Sequence, residues 1–156
     1  MAFRFLTLTV GVVLVSGIAC AQPQDVRTQA LEAQNEAHNL VVEGRLDEAI
    51  TQYSHAIALD PSIALIYQGR GVAYARVQDY AAAIADFNRA IELDPDQSAT
   101  YLERGRAYVR TQDFGAAEAD VQHAIDISNS DPEIFYPAEA LLASIRSGDA
   151  ALDASQ

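Results

Sequence analysis

Residues 67–95 read YQGRGVAYARVQDYAAAIADFNRAIELDP, and the chain restates this pattern at a fixed interval on both sides. Moving 34 residues onward lays Tyr101, Arg104, Gly105, Ala107, Tyr108 and Asp113 over Tyr67, Arg70, Gly71, Ala73, Tyr74 and Asp79. Phe114, Ala117, Asp120 and Ala124 follow in the same register over Tyr80, Ala83, Asp86 and Ala90. Without gaps, 64–97 and 98–131 are identical at 14 of 34 positions. Moving back by the same step lays Ala49, Tyr53, Ala56, Leu59, Asp60 and Pro61 over Ala83, Phe87, Ala90, Leu93, Asp94 and Pro95. A period of this length means stacked supersecondary units, each burying its apolar face only against its neighbours.

Small residues mark where helices must approach. With Ala30, Ala64 and Ser98 as first positions, the eighth holds Ala37, Gly71 and Gly105. The twentieth holds Ala49, Ala83 and Ala117, and the twenty-seventh Ala56, Ala90 and Ala124. Larger residues such as Tyr67, Tyr74, Tyr80 and Phe87 flank these contacts. Gly44-Arg45, Gln78-Asp79 and Gln112-Asp113 read as polar turns within each unit, and Asp-Pro closes the first two. Proline cannot continue a preceding helix but suits the start of the next. The product is an antiparallel helix pair, repeated. Helices are expected over 26–43 and 46–59, 62–77 and 80–93, and 96–111 and 114–128. Asp131-Pro132 comes three residues later than the period requires, and the shifted register predicts a last helix over 137–147, with Leu141 and Ile145 covering the third pair.

This pattern resembles the tetratricopeptide repeat (TPR), with its aromatic, Gly, Tyr, Ala-x-x-x-Phe-x-x-Ala and closing Pro over about 34 residues. The resemblance spans 30–131. The first unit departs from it at Ala33, Ala37 and Leu40, and the third has Val121 for the aromatic and no closing Pro. It implies an all-α, right-handed solenoid of three helix pairs, with 22–29 as lead-in, 132–147 as a capping helix and 148–156 as a disordered tail. It also implies a concave groove lined by the leading helices. Carried over, the groove positions are Leu31, Gln34, His38, Val41 and Val42; Leu65, Gln68, Val72, Ala75 and Arg76; Ala99, Leu102, Arg106, Val109 and Arg110. Members that hold the acidic tails of heat-shock chaperones use a two-carboxylate clamp of Lys and Asn, then Asn, then Lys and Arg. The matching residues here are Gln34, His38, Gly69, Ala99 and Glu103, none of which fits.

In 156 residues the formal net charge is −12, and all ten basic residues are Arg. Such acidity argues against nucleic acid and anionic lipid surfaces as partners, since both bind through phosphate neutralisation. One cysteine forms no internal disulfide, and no Cys/His cluster has metal-ligand spacing, so neither metal nor cofactor is expected. Residues 1–21 open with Arg4, continue through the uncharged run 5–18 and end in Ala19-Cys20-Ala21. The run is short for a membrane span and suits an export signal cleaved before Gln22. Gly17-Ile18-Ala19-Cys20 also resembles a lipoprotein signal, in which Cys20 is acylated and becomes the first residue; Gly17 departs from that pattern.

Catalysis finds no constellation here. His38 lies on a leading helix, while His55 and His123 share the twenty-sixth position of separate units and cannot converge. Gly69 and Gly71 fall inside a helix pattern, where a phosphate cradle is not built. Arg70 and Arg104 stand at the seventh position, opposite Asp86 and Asp120 at the twenty-third, and an ion pair within a unit or between neighbours is expected. The reading is a non-catalytic interaction scaffold of the bacterial cell envelope, periplasmic or lipid-anchored. It binds a short peptide or helix of another protein, with an assembly subunit, and behind it a small-ligand carrier or enzyme, as the alternatives and the oligomeric state open.

Overall fold

A computed structural model describes residues 23–128 and 131–149; the export and lipidation assignments, and the tail beyond Asp149, lie outside them. Seven helices occupy the described residues, with no strand among them: α1 (Pro23–Val42), α2 (Leu46–Leu59), α3 (Ala64–Arg76), α4 (Tyr80–Leu93), α5 (Ser98–Arg110), α6 (Phe114–Ile127) and α7 (Pro132–Ser147). Helices α1/α2, α3/α4 and α5/α6 pack as pairs, each pair rests on the next, and α7 lies across α6 and α5. The result is the right-handed all-α solenoid with a terminal cap.

The small residues sit where the pairs meet. Ala37, Ala49, Ala56, Ala83, Ala117 and Ala124 are fully buried. A Cβ added at Gly71 would lie 2.7 Å from the Phe87 ring, and one at Gly105 would lie 2.7 Å from Val121 Cγ2. Close approach of α3 to α4 and of α5 to α6 therefore requires glycine at these positions.

Turns repeat as faithfully as helices. Gly44, Gln78 and Gln112, one per unit at the same position, all take positive φ, at 78°, 66° and 63°. The next residue's N–H then reaches back to the last turn of the helix, Arg45 to Leu40 O, Asp79 to Tyr74 O and Asp113 to Tyr108 O, each at 2.9 Å. These are the bonds of a left-handed helix C-cap. Asp79 and Asp113 then cap the following helices, accepting from the Ala82 and Ala116 N–H groups at 3.1 Å. The Asp-Pro junctions are longer than expected, so α3 and α5 start at Ala64 and Ser98 instead of 62 and 96. At the first, Asp60 Oδ1 accepts from Ser62 Oγ at 2.6 Å and from its N–H at 3.0 Å, holding a turn where helix was expected.

Both predicted ion pairs form, and they form within the unit. Arg70 donates from Nε and Nη2 to the two oxygens of Asp86 at 2.7 and 2.8 Å; Arg104 grips Asp120 at 2.7 and 2.7 Å. Each guanidinium keeps a third bond to the preceding unit, from Nη1 to Ser54 Oγ at 3.0 Å or to Asn88 Oδ1 at 2.6 Å. One arginine thus ties its own pair together and to its neighbour. The first unit has Glu36 and Gln52 at these places, with no unit before it to hold.

Helix α7 begins at Pro132, earlier than the expected 137. Asp131 caps it by accepting from the Glu133 N–H at 3.0 Å, Pro132 fits the first turn, and Pro137 is carried inside the helix. Ala138 and Leu142 are buried, with Leu141 and Ile145 packed beside them on the third pair. Gly148 closes the helix at φ 84°.

Candidate functional site

The leading helices α1, α3 and α5 share the concave side because each is followed by a partner helix that takes the outer side. Between α1 and α3 lies an open cleft of about 330 Å³. Gln34, His38, Val41, Val42, Leu65, Gln68, Val72 and Arg76, all positions carried over from the family resemblance, line it, joined by Tyr53 and Gly69. Gln68, Val72 and Arg76 also line a second open cleft of about 530 Å³ with Ala75, Ala99, Glu103 and Arg106, so the two are continuous. Val42 is 74% exposed and Leu65 48%, so the walls offer apolar surface to water. Leu31, 39% exposed, borders neither cleft.

Three of the expected groove positions belong to the core, Val41 among them although it also borders the first cleft. Leu102 is 3% exposed and packs with Val121, Ala124, Ala138 and Leu142, and Val109 is buried beside Leu141 and Ile145. Helix α7 docks where the next leading helix would stand and covers these residues. Arg110 also lines neither cleft: its Nε donates to Tyr80 Oη at 3.1 Å, and the guanidinium lies 5.7 Å from that ring's centre. The groove is therefore shorter than three full units.

Tyr53 was expected only as core. It is 3% exposed, yet its ring forms part of the first cleft because α3 has no side chain at Gly69. A Cβ there would lie 2.6 Å from Tyr53 Cζ and Oη. A glycine in a helix interior costs about 1 kcal/mol relative to alanine, so its presence at 69 was a signal of close approach. Burial raises the Tyr53 phenol above its ordinary pKa, while the Arg76 charge pulls it down. Arg76 itself is anchored by Nη1 donating to Val41 O at 3.2 Å. Arg106 faces Glu103 at 3.7 Å, which partly offsets its charge.

The three histidines do not assemble. His38 is in the cleft on α1, His55 lies on α2, and His123 on α6 meets the Tyr101 ring edge-on at 4.4 Å. Among the described residues no group of three or more His, Cys, Asp or Glu is arranged to hold a metal ion, and no helix is long and apolar enough to cross a membrane.

Comparison with known families settles the lineage of this architecture. The family descriptions "TPR repeat", over residues 38–78, and "Tetratricopeptide repeat", over 64–97 and again over 98–131, match the chain. The chain belongs to the tetratricopeptide repeat family. Among solved TPR structures, the first TPR of Spaghetti (RPAP3), described as bound to the HSP90 peptide SRMEEVD, superposes with a TM-score of 0.74 at 25% identity. That match covers 80% of this chain and 95% of the other. The second TPR domain of human RPAP3, described in complex with the HSP70 peptide SGPTIEEVD, gives 0.72 at 26% identity, covering 80% and 98%. The type III secretion chaperone SycD of Yersinia enterocolitica shares the fold at 16% identity, with a TM-score of 0.72 and coverage of 76% and 92%. The serine/threonine-protein phosphatase T of Schizosaccharomyces pombe is 40% identical over 55 residues, which is 35% of this chain and 12% of that protein.

Proposed function

We propose that this TPR protein is a non-catalytic adaptor that binds a short segment of another protein in the groove of α1 and α3, extending toward α5. The continuous pair of open clefts, with apolar walls and Arg76 between them, carries this reading. Preformed grooves of this kind hold peptides by side-chain pockets along an extended or helical ligand. Solved relatives at 25 and 26% identity are described with peptides bound, which supports a protein partner. Their acidic chaperone tails are not the expected ligand here. The positions of the two-carboxylate clamp hold Gln34, His38, Gly69, Ala99 and Glu103, and Glu103 repels a carboxylate. A groove of under three units holds one short segment, so modest affinity is expected.

The setting we propose is the bacterial cell envelope, on the strength of Arg4, the apolar run 5–18 and Ala19-Cys20-Ala21. Mass spectrometry of the mature protein distinguishes a free chain starting at Gln22 from one acylated at Cys20; an intact Met1 would overturn export with cleavage. The adaptor reading is tested by affinity capture from an envelope extract with the parent protein and with Arg76→Ala/Arg106→Ala. Loss of the captured protein in the double variant is expected. Undiminished capture would rule out the groove as the binding face.

A further inference from the structure

The arginine at the junction of the clefts differs electrostatically from its neighbours. Among the described residues seven arginines face a carboxylate at 3.7 Å or less, namely Arg27, Arg45, Arg70, Arg89, Arg104, Arg106 and Arg146. Arg76 faces none among the described residues, and its hydrogen bond goes to the neutral Val41 carbonyl. In a chain of net charge −12, an exposed guanidinium held in place by a carbonyl and left uncompensated is a binding charge.

Tyr53 supplies the second polar group. Tyr53 is 3% exposed overall, and no buried side-chain oxygen among the described residues lacks a partner, so its hydroxyl, which bonds to no described residue, is reached from the cleft. Gly69 leaves the ring open to the cleft. A phenol at the cleft surface whose proton has no protein acceptor is placed to donate to a ligand oxygen. Apolar wall is supplied by Val42 and Leu65, both well exposed in the same cleft.

We infer that the cleft between α1 and α3 is a subsite for one Asp or Glu side chain of an extended partner segment, with an aliphatic residue beside it. The carboxylate lies between the Arg76 guanidinium and the Tyr53 hydroxyl, and the aliphatic side chain lies against Val42 and Leu65. This rests on the adaptor reading above and names the chemistry that reading leaves open. The acid belongs to a side chain and not to a chain end, because the groove runs on past Arg76 into the second cleft. A terminal carboxylate would leave that second stretch empty. Glu103 in the second cleft disfavours another acid further along.

The test is a positional-scanning library of N-acetylated, C-amidated octapeptides, selected against the protein expressed from the full chain. The best peptide is then titrated by fluorescence anisotropy. Selected sequences should pair Asp or Glu with Leu, Ile or Val. Arg76→Gln should weaken that peptide by about tenfold, the scale of one lost charge-assisted hydrogen bond. The same variant should leave the Asn or Gln analogue of the peptide unaffected, and Tyr53→Phe should weaken the acidic peptide by a smaller factor. Arg76 is exposed, so an unchanged melting curve is expected and separates binding from folding. Selected peptides with no acidic preference, or an acidic preference that survives Arg76→Gln, would overturn this inference and leave the adaptor reading standing. Binding that requires a free C-terminal carboxylate would also overturn it. A library that yields no binder would overturn both.

Discussion

Substituting Gly71 with alanine tests the packing argument where intuition points the other way. Alanine is the better helix former, and in an open helix the exchange stabilises by about 1 kcal/mol. At position 71 the added carbon would lie 2.7 Å from Phe87 Cε1 and 2.9 Å from Cδ1. Phe87 is fully buried and has no solvent to retreat into. Overpacking of this kind costs about 2 kcal/mol, so the net expectation is a loss of about 1 kcal/mol, or about 4 °C in melting temperature. Gly115→Ala is the matched control, because its new carbon meets only Asp113 Oδ1 at 3.9 Å. That exchange should stabilise by about 0.5 kcal/mol through the unfolded chain. Urea denaturation followed by circular dichroism reads both. If the two variants shift in the same direction, or Gly71→Ala equals its parent, small residues are not what sets the helix spacing.

Other consequences follow from the same contacts. Arg70→Met leaves Asp86 nearly buried without its partner and should cost about 2 kcal/mol, whereas Arg70→Met/Asp86→Leu should recover most of it; urea midpoints check both, and a neutral single variant would contradict the pairing. Gln78 holds φ 66°, so Gln78→Gly should stabilise by about 1 kcal/mol in the same assay. Because burial raises the Tyr53 phenol, above pH 10 the unfolded chain releases that proton while the folded chain keeps it. This contribution is therefore fully present at lower pH and is lost as pH rises beyond 10. Tyr53→Phe should flatten that part of the pH–stability curve, and an unaltered slope would contradict the assignment.

The sequence carried the fold because the repeat is itself a packing statement: Ala49, Ala83 and Ala117 recur at one place since each meets the same helix face. The Arg70–Asp86 and Arg104–Asp120 pairs were legible for the same reason, two positions facing one another across a pair. Their third partners, Ser54 and Asn88, were not, because Ser and Asn are chemically dissimilar and carry no shared signature. Within the candidate site, the expected positions on α1 and α3 that line a cleft, all but Leu31, came from the family resemblance, carried over by register. That carry-over failed at Leu102 and Val109, because their exposure depends on the path of α7 after a break in the period. Tyr53 escaped for a different reason: its access to the cleft depends on what Gly69 lacks, and a missing side chain says nothing about direction until the neighbouring helix is in place.

Hydrogen exchange of the purified protein, alone and saturated with its captured partner segment, tests the central claim most directly. The account predicts added protection concentrated in α1 and α3, with less in α5 and little in α2, α4 and α6. Protection confined to the outer helices or to α7 would contradict it.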